Sequence, residues 1–173
     1  MKHGKKHRAE VAKSLPEWRD LFMSYKALKR EVKLINPICF NSNGKKRSRS
    51  WPTEDMGFAL LLARELDKIN TFYIDKEEDY IIGFKELEIR AESVNGNEEM
   101  LELQKEILGF HSEMVMLLHY SVINFAAAGA YTSVYSFYMP RVLQQPFFST
   151  DLLYNLIKGC EEILDRLSPP NHP

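Results

Sequence analysis

Tyr25 and Lys29 stand one helical turn apart within Leu15 to Ile35, LPEWRDLFMSYKALKREVKLI. A phenol and an ammonium at that spacing share a helix face, so both can donate to one anion. Lys26, Arg30 and Lys33 occupy the adjoining arc. A second basic group precedes them: MKHGKKHRAEVAK sets Lys2, Lys5, Lys6, Arg8 and Lys13 against a single acid, Glu10. Solvated lysines need no partner, but two such segments in succession are too basic to serve solubility alone. Their chemistry is charge-assisted hydrogen bonding to a compact polyanion or an acidic protein.

The charge balance agrees. Residues 1–50 hold 14 Lys and Arg against 4 Asp and Glu, a net of +10, while residues 51–173 hold 9 against 20, a net of −11. The chain therefore carries one cationic surface on an acidic scaffold, which argues against direct DNA binding by a uniformly basic domain. Catalysis is not expected. There is no glycine-rich phosphate loop, no His-Glu-x-x-His and no local pairing of nucleophile with base. No metal is expected either, because Cys39 and Cys160 are the only cysteines and His3 and His7 sit among lysines that repel a cation. The N-terminus lacks the apolar core of a signal peptide, so an intracellular, reduced chain is expected.

The elements that must hold these residues read as helices throughout. The first fourteen residues predict a short amphipathic helix. Leu15 to Ile35 predicts a second, with Ser14 as its cap, Pro16 in the first turn, and Glu17 and Asp20 at its positive end. Trp18, Leu21, Phe22, Tyr25, Leu28, Val32 and Ile35 fall within roughly 140° of arc, the width of a core-facing stripe. Together they form a helical hairpin. Asn36 to Pro52 has paired breakers and no periodicity, and predicts an exposed loop. Its Lys45-Lys46-Arg47-Ser48-Arg49 run suits nuclear import, so nucleus and cytoplasm are both expected.

From the cap Thr53 a helical pattern continues to about Glu92, with Leu62, Leu66, Ile69, Tyr73, Tyr80, Phe84, Leu87 and Ala91 as its seam and a gap at Lys76. Acids such as Glu77, Glu78 and Asp79 read as a solvated face. After a turn at Gly96, Asn97 caps a second long helix whose seam is Met100, Leu103, Ile107, Phe110, Met114 and Leu117. The two should pack antiparallel. Met114 to Pro140 contains no Asp, Glu, Lys or Arg. Its Tyr, Ser, Thr and Asn residues are too many for a transmembrane span, and no basic cluster marks a cytoplasmic flank. A short helical piece follows, then a break at Pro146 and a last helix capped by Ser149 or Thr150 and ending before Pro169. The fold class is all-α.

Seven ordered blocks then carry a resemblance: Met1-Lys2-x-Gly4-Lys5; LPEWRD with SYKALK and KLI; ELDKINTFYIDKEEDYII; GFHSEMVMLLHYSVINF; and VLQQPFFSTDLLYNLIKGCE. They cover nearly the whole chain and resemble plant SPX-domain proteins of the small stand-alone type. The resemblance implies a single SPX domain over residues 1–173: a basic hairpin (1–35), a basic loop (36–52), two long core helices (53–127) and a C-terminal helical segment (128–168). It implies binding of inositol polyphosphates or pyrophosphates, with no other cofactor, as a report of phosphate status. It also implies ligand-dependent binding and inhibition of phosphate-starvation-response MYB coiled-coil transcription factors. Tyr25 and Lys29 match the ligand-contacting tyrosine and lysine, and Lys2 and Lys5 match basic positions of the first helix. Lys33, with Lys26 and Arg30, adds to the field.

The chain departs from the family pattern twice. His3 stands where the family usually has Phe. More consequentially, the lysine-rich run that normally follows the Asn-aromatic pair, here Asn124-Phe125, is absent: Ala126-Ala-Ala-Gly-Ala130 and tyrosines stand in a shorter segment, with Arg141 the nearest base. Half of the expected anion site is missing from the sequence. Two other readings follow from the residues themselves: a helical protein-interaction module without ligand response, and a membrane-surface binder using the cationic first helix on acidic headgroups.

Overall fold

The computed structural model describes residues 2–35, 54–132 and 139–168. Helix α1 spans Lys2–Lys13, a 3-10 segment Pro16–Leu21, α2 Tyr25–Ile35, α3 Glu54–Ser93, α4 Asn97–Thr132, α5 Met139–Leu143, a second 3-10 segment Pro146–Phe148, and α6 Asp151–Leu167. No strand occurs among the described residues. The expected loop Asn36 to Pro52, with its basic run and Cys39, lies outside them, as do the cap Thr53 and the side chains of Lys2 and Ile35.

The stretch Leu15 to Ile35 is not one helix. It divides into the 3-10 segment and α2, with extended backbone at Phe22. Ser14 does not cap it: the cap position is Leu15, which makes no side-chain cap bond, and Ser14 is buried, its N–H closing the end of α1 on the Val11 carbonyl at 3.1 Å. Trp18, Phe22 and Leu28 of the expected stripe are buried, Leu21, Tyr25 and Val32 are half-buried, and Met23, outside the stripe, is buried with them.

The chain forms two compact units, Met1–Thr71 with Ile123–Gln145 and Phe72–Val122 with Pro146–Pro173. In the first, Phe58, Leu62, Leu66 and Ile69 of α3 and Ile123, Ala127, Ala128 and Tyr131 of α4 are buried together with the residues of the hairpin. Here α4 continues past the expected end at residue 127 to Thr132, because alanines are strong helix formers and the single Gly129 among them costs only about 1 kcal/mol.

In the second unit α3 and α4 run antiparallel: Lys76 reaches Glu113, the Tyr80 ring meets Phe110 edge-on at 5.4 Å, and Arg90 pairs with Glu106. The gap at Lys76 in the α3 seam is filled by chemistry. Glu113 Oε1 accepts from Lys76 Nζ at 3.1 Å and from the Tyr80 hydroxyl at 3.0 Å, so a charge at a seam position is paired rather than stranded. Glu78 and Asp79 are exposed as expected, but Glu77 is half-buried, and burial holds its carboxyl above the ordinary range while the Tyr73 hydroxyl pulls it back. Leu153, Leu156, Ile157, Cys160, Ile163 and Leu167 make the buried stripe of α6. Its cap residue is Thr150, without a side-chain cap bond, and Asp151 supplies the negative charge of the first turn.

The length and composition of α4 would also allow it to cross a bilayer, but half of its most apolar window is buried within the fold. Leu103, Ile107, Met114, Leu117 and Tyr120 are fully buried, as in a core helix.

Candidate anion-binding site

The break between the 3-10 segment and α2 decides how α2 presents its cations. Four main-chain groups there lose helical partners, and each is met by a side chain from elsewhere. The Phe22 carbonyl accepts from Lys68 Nζ at 2.9 Å, and the Met23 N–H donates to Asn124 Oδ1 at 2.8 Å. His7 Nε2 lies 3.2 Å from the Met23 carbonyl, and Ser24 N–H donates to Glu65 Oε2 at 2.7 Å. A carbonyl only accepts, so the His7 proton sits on Nε2. The carbonyl of Ser24 then accepts from Ala27 and Leu28 N–H, starting α2. Glu65 therefore places a carboxylate at the positive end of α2, while its ion pair with Lys68 at 2.8 Å satisfies its own charge.

Tyr25 is the first residue of α2 and the point at which α1 meets it. A Cβ on Gly4 would come within 2.9 Å of Tyr25 Cε1, so only glycine lets α1 approach this closely. The His7 ring stacks on Tyr25 with centroids 5.7 Å apart at 30°. From α4, the Tyr131 ring lies 5.0 Å from Tyr25, and its hydroxyl donates to the Tyr25 carbonyl at 2.6 Å. Burial first, and the contact with Tyr25 second, push the Tyr131 phenol well above its ordinary value. Tyr131 thus serves packing and not anion binding.

Lys5 is exposed on α1 beside Gly4; Lys26, Arg30 and Lys33 are exposed on α2, and Lys29 is half-buried one turn after Tyr25. The structure brings Tyr25 against α1 and keeps Lys29 and Lys33 on the helix it opens; the Lys2 side chain lies outside the described residues. Among those residues no acid lies within ion-pair distance of Lys5, Lys6, Lys26, Lys29, Arg30 or Lys33, whereas Lys68, Lys76, Lys85 and Lys158 each have one. Arg141, on α5, is exposed and helps line a separate cavity of about 290 Å³ with Asp67, Asn70 and Gln145.

Sequence reasoning missed the residues that build this site without binding in it. Glu65, Lys68 and Asn124 lie inside blocks of the family pattern, yet nothing local marks them as partners of residues 22–24. Nor does anything local mark His7 as the partner of the Met23 carbonyl; among the described residues no three His, Cys, Asp or Glu gather as a metal site.

Comparison with known proteins gives the class. No family model matches the sequence. SPX domain-containing protein 2 of Arabidopsis thaliana is 42% identical, over 99% of this chain and 67% of its own length. SPX domain-containing protein 1 of Oryza sativa subsp. indica is 40% identical, over 99% and 67%, and SPX domain-containing protein 1 of Arabidopsis thaliana 38%, over 99% and 73%. The chain belongs to the plant SPX domain-containing proteins. The SPX domain of Chaetomium thermophilum glycerophosphodiester phosphodiesterase 1, solved with inositol hexakisphosphate, shares the fold with a TM-score of 0.80 at 22% identity, covering 96% of this chain and 99% of that one. The likeness is to the SPX domain of that protein alone. The match to the Arabidopsis protein 2 runs over 193 residues against 173 here, a difference of at least 20, so the relative has residues without counterparts in this chain.

Proposed function

We propose that this chain is a regulator of phosphate homeostasis that binds inositol polyphosphates or pyrophosphates through Lys2, Lys5, Tyr25, Lys29 and Lys33. The carrying observation is that, among the described residues, Lys5 and Lys6 on α1 and Lys26, Lys29, Arg30 and Lys33 on α2 have no acid within ion-pair distance, on two helices that meet at Tyr25, where α2 is held in place by Asn124 and Glu65. Clustered ammonium groups suit a small ring bearing many phosphates, since each charge-assisted bond adds to the next. The fungal SPX domain solved with inositol hexakisphosphate supports the ligand class. In its bound state the domain binds and inhibits a phosphate-starvation-response MYB coiled-coil transcription factor, in the nucleus and cytoplasm.

The end of α4 from Ala126 to Tyr131 carries no cation, so affinity falls below that of members with the lysine-rich run. Each missing charge-assisted contact is worth about 1.5–3 kcal/mol, and two weaken binding by about a hundredfold or more. Titration calorimetry with inositol hexakisphosphate at low salt tests the site. Binding should be measurable and salt-sensitive, and Lys29→Ala should weaken it. Lys85→Ala should not, because Lys85 is exposed on α3 and already paired to Glu88 at 2.7 Å. No binding, or equal effects at both lysines, would refute the reading.

One observation favours the second reading, an interaction module that works without ligand. Leu101, Leu108, Val115 and Val122 of α4 recur every seven residues, and each is 44–61% exposed. That spacing suits a partner helix. Leu108→Glu with Val115→Glu would then abolish partner binding in the absence of any inositol phosphate.

A further inference from the structure

We infer that His7 belongs to the anion site and joins it as a cation, taking a proton from solvent on Nδ1 when a polyanion settles on α1 and α2. The inference rests on the anion-site reading above and adds a residue and a proton to it. His7 lies on α1, half-buried, with its ring stacked against Tyr25 at 5.7 Å. Nε2–H is committed to the Met23 carbonyl at 3.2 Å, and Nδ1 has no hydrogen-bond partner among the described residues. The ring therefore has one fixed nitrogen and one nitrogen able to accept a proton without breaking that contact.

The groups around it set the direction. On its own helix, Lys5, Lys6 and Arg8 are exposed, and Glu10, one turn on, is held by Lys13 at 3.0 Å. The 22–24 break contributes the Met23 carbonyl, and α3 contributes Glu65 and Lys68, paired to each other at 2.8 Å on that same backbone. The phenol of Tyr25 comes from α2, and α4 brings Asn124 and Tyr131, whose hydroxyl is occupied by the Tyr25 carbonyl. Both nearby carboxylates are thus already paired with lysines, whereas Lys5, Lys6 and Arg8 of α1 have no acid within ion-pair distance among the described residues. In that setting burial favours the neutral ring and lowers its pKa, with the Met23 carbonyl pulling the other way.

A bound polyanion inverts the balance. A phosphate held by the Tyr25 hydroxyl lies on the far end of the ring that His7 stacks on, within about one Debye length (~10 Å at 0.1 M salt) of the imidazole. An opposite charge that close favours the protonated ring. The gain grows with the charge of the ligand, so His7 sharpens preference for the more highly phosphorylated of two inositol phosphates as pH falls.

Calorimetry of the full chain with inositol hexakisphosphate, from pH 5.5 to 8 in buffers of different ionisation enthalpy, counts the protons. Ligand phosphates titrate in the same range, so the comparison is with His7→Gln, whose amide can still donate to the Met23 carbonyl. The unaltered chain should take up more protons than His7→Gln, and its Kd should fall more steeply with decreasing pH, by up to about tenfold per pH unit. Ring titration of His7 by NMR in the unaltered chain should show a higher pKa with ligand than without. Equal proton uptake and equal pH slopes, or an unmoved His7 titration, would overturn the inference and leave the anion site standing. Absence of binding by both proteins at every pH would overturn the anion site and this inference together.

Discussion

The main-chain N–H of Met23 donates to Asn124 Oδ1 at 2.8 Å across 101 residues of sequence, and both residues are buried. This bond joins the break before α2 to α4, and so ties the helix carrying Tyr25 and Lys29 to the core. Asn124→Ala should leave a buried N–H without its acceptor, costing about 1–3 kcal/mol. Urea denaturation should show a lower midpoint with an unchanged m-value; an unchanged midpoint would mean that the break is satisfied in another way.

Glu65 should act on ligand binding without touching ligand. Glu65→Gln keeps an acceptor for Ser24 N–H and should change little, whereas Glu65→Ala removes it at the positive end of α2, at a cost typical of a lost cap, about 1 kcal/mol. Amide exchange in Tyr25–Ile35 should accelerate in the alanine variant, and affinity for inositol hexakisphosphate should fall with it.

Three glycines separate close packing from helix propensity. A Cβ at Gly83 would lie 2.8 Å from Phe110 Cε2, and one at Gly159 would lie 2.8 Å from Phe84 Cε2, while one at Gly109 meets nothing within 4 Å. Gly83→Ala and Gly159→Ala should each destabilise by about 1–3 kcal/mol through overpacking. Gly109→Ala should stabilise by up to about 1 kcal/mol, as expected in an open helical position. Melting temperatures that move together for all three would contradict the packing.

The pH dependence of stability has two contributions of known sign. Glu77 keeps its proton to higher pH in the folded chain than in the unfolded one, so between about 4.5 and its raised value stability falls as pH rises. Glu77→Gln should therefore melt higher than the unaltered chain at pH 7, with the difference shrinking toward pH 4. His7 is lowered from 6.5 instead, so the unfolded chain protonates first, and stability is lost as pH drops below about 6.5 until the folded ring protonates too. Thermal melts at half-unit pH steps on Glu77→Gln and His7→Gln would resolve the two.

Cys160 should be inert in the native chain. It is fully buried, and burial pushes its thiol up to about 11, with Glu161 adding to the shift. Thiolate, the reactive form, is scarce at pH 8. With Cys39 replaced by Ser, a thiol reagent should label the native protein only as fast as it opens; rapid labelling would show α6 to be loosely packed.

Much of this architecture is written in local pattern. The seams of α3 and α4 are legible because apolar residues at spacings of three and four can be buried together only on a helix. Leu62, Leu66, Ile69, Tyr73, Leu103, Ile107, Met114 and Leu117 are indeed buried. The cationic face of α1 and α2 is legible for the same reason: side-chain type and helical phase place Tyr25 and Lys29 together whatever the rest of the chain does. Even the gap at Lys76 was visible, although its partner Glu113 was not, since no periodicity within one helix specifies what stands opposite on another.

The break at residues 22–24 was invisible for a stronger reason. Phe22-Met23-Ser24 contains neither Gly nor Pro, and a helix through it would keep Trp18, Phe22 and Leu28 facing inward. Local propensity thus leaves the continuous and broken forms close in energy. Lys68, Asn124, His7 and Glu65, brought from three other helices, meet the main-chain groups that the break exposes. By itself the sequence determined that this chain is helical and which residues form its cationic face. Only the tertiary structure decided where α2 begins and which way it points, because that choice rests on hydrogen bonds between residues distant in sequence, formed once the core has assembled.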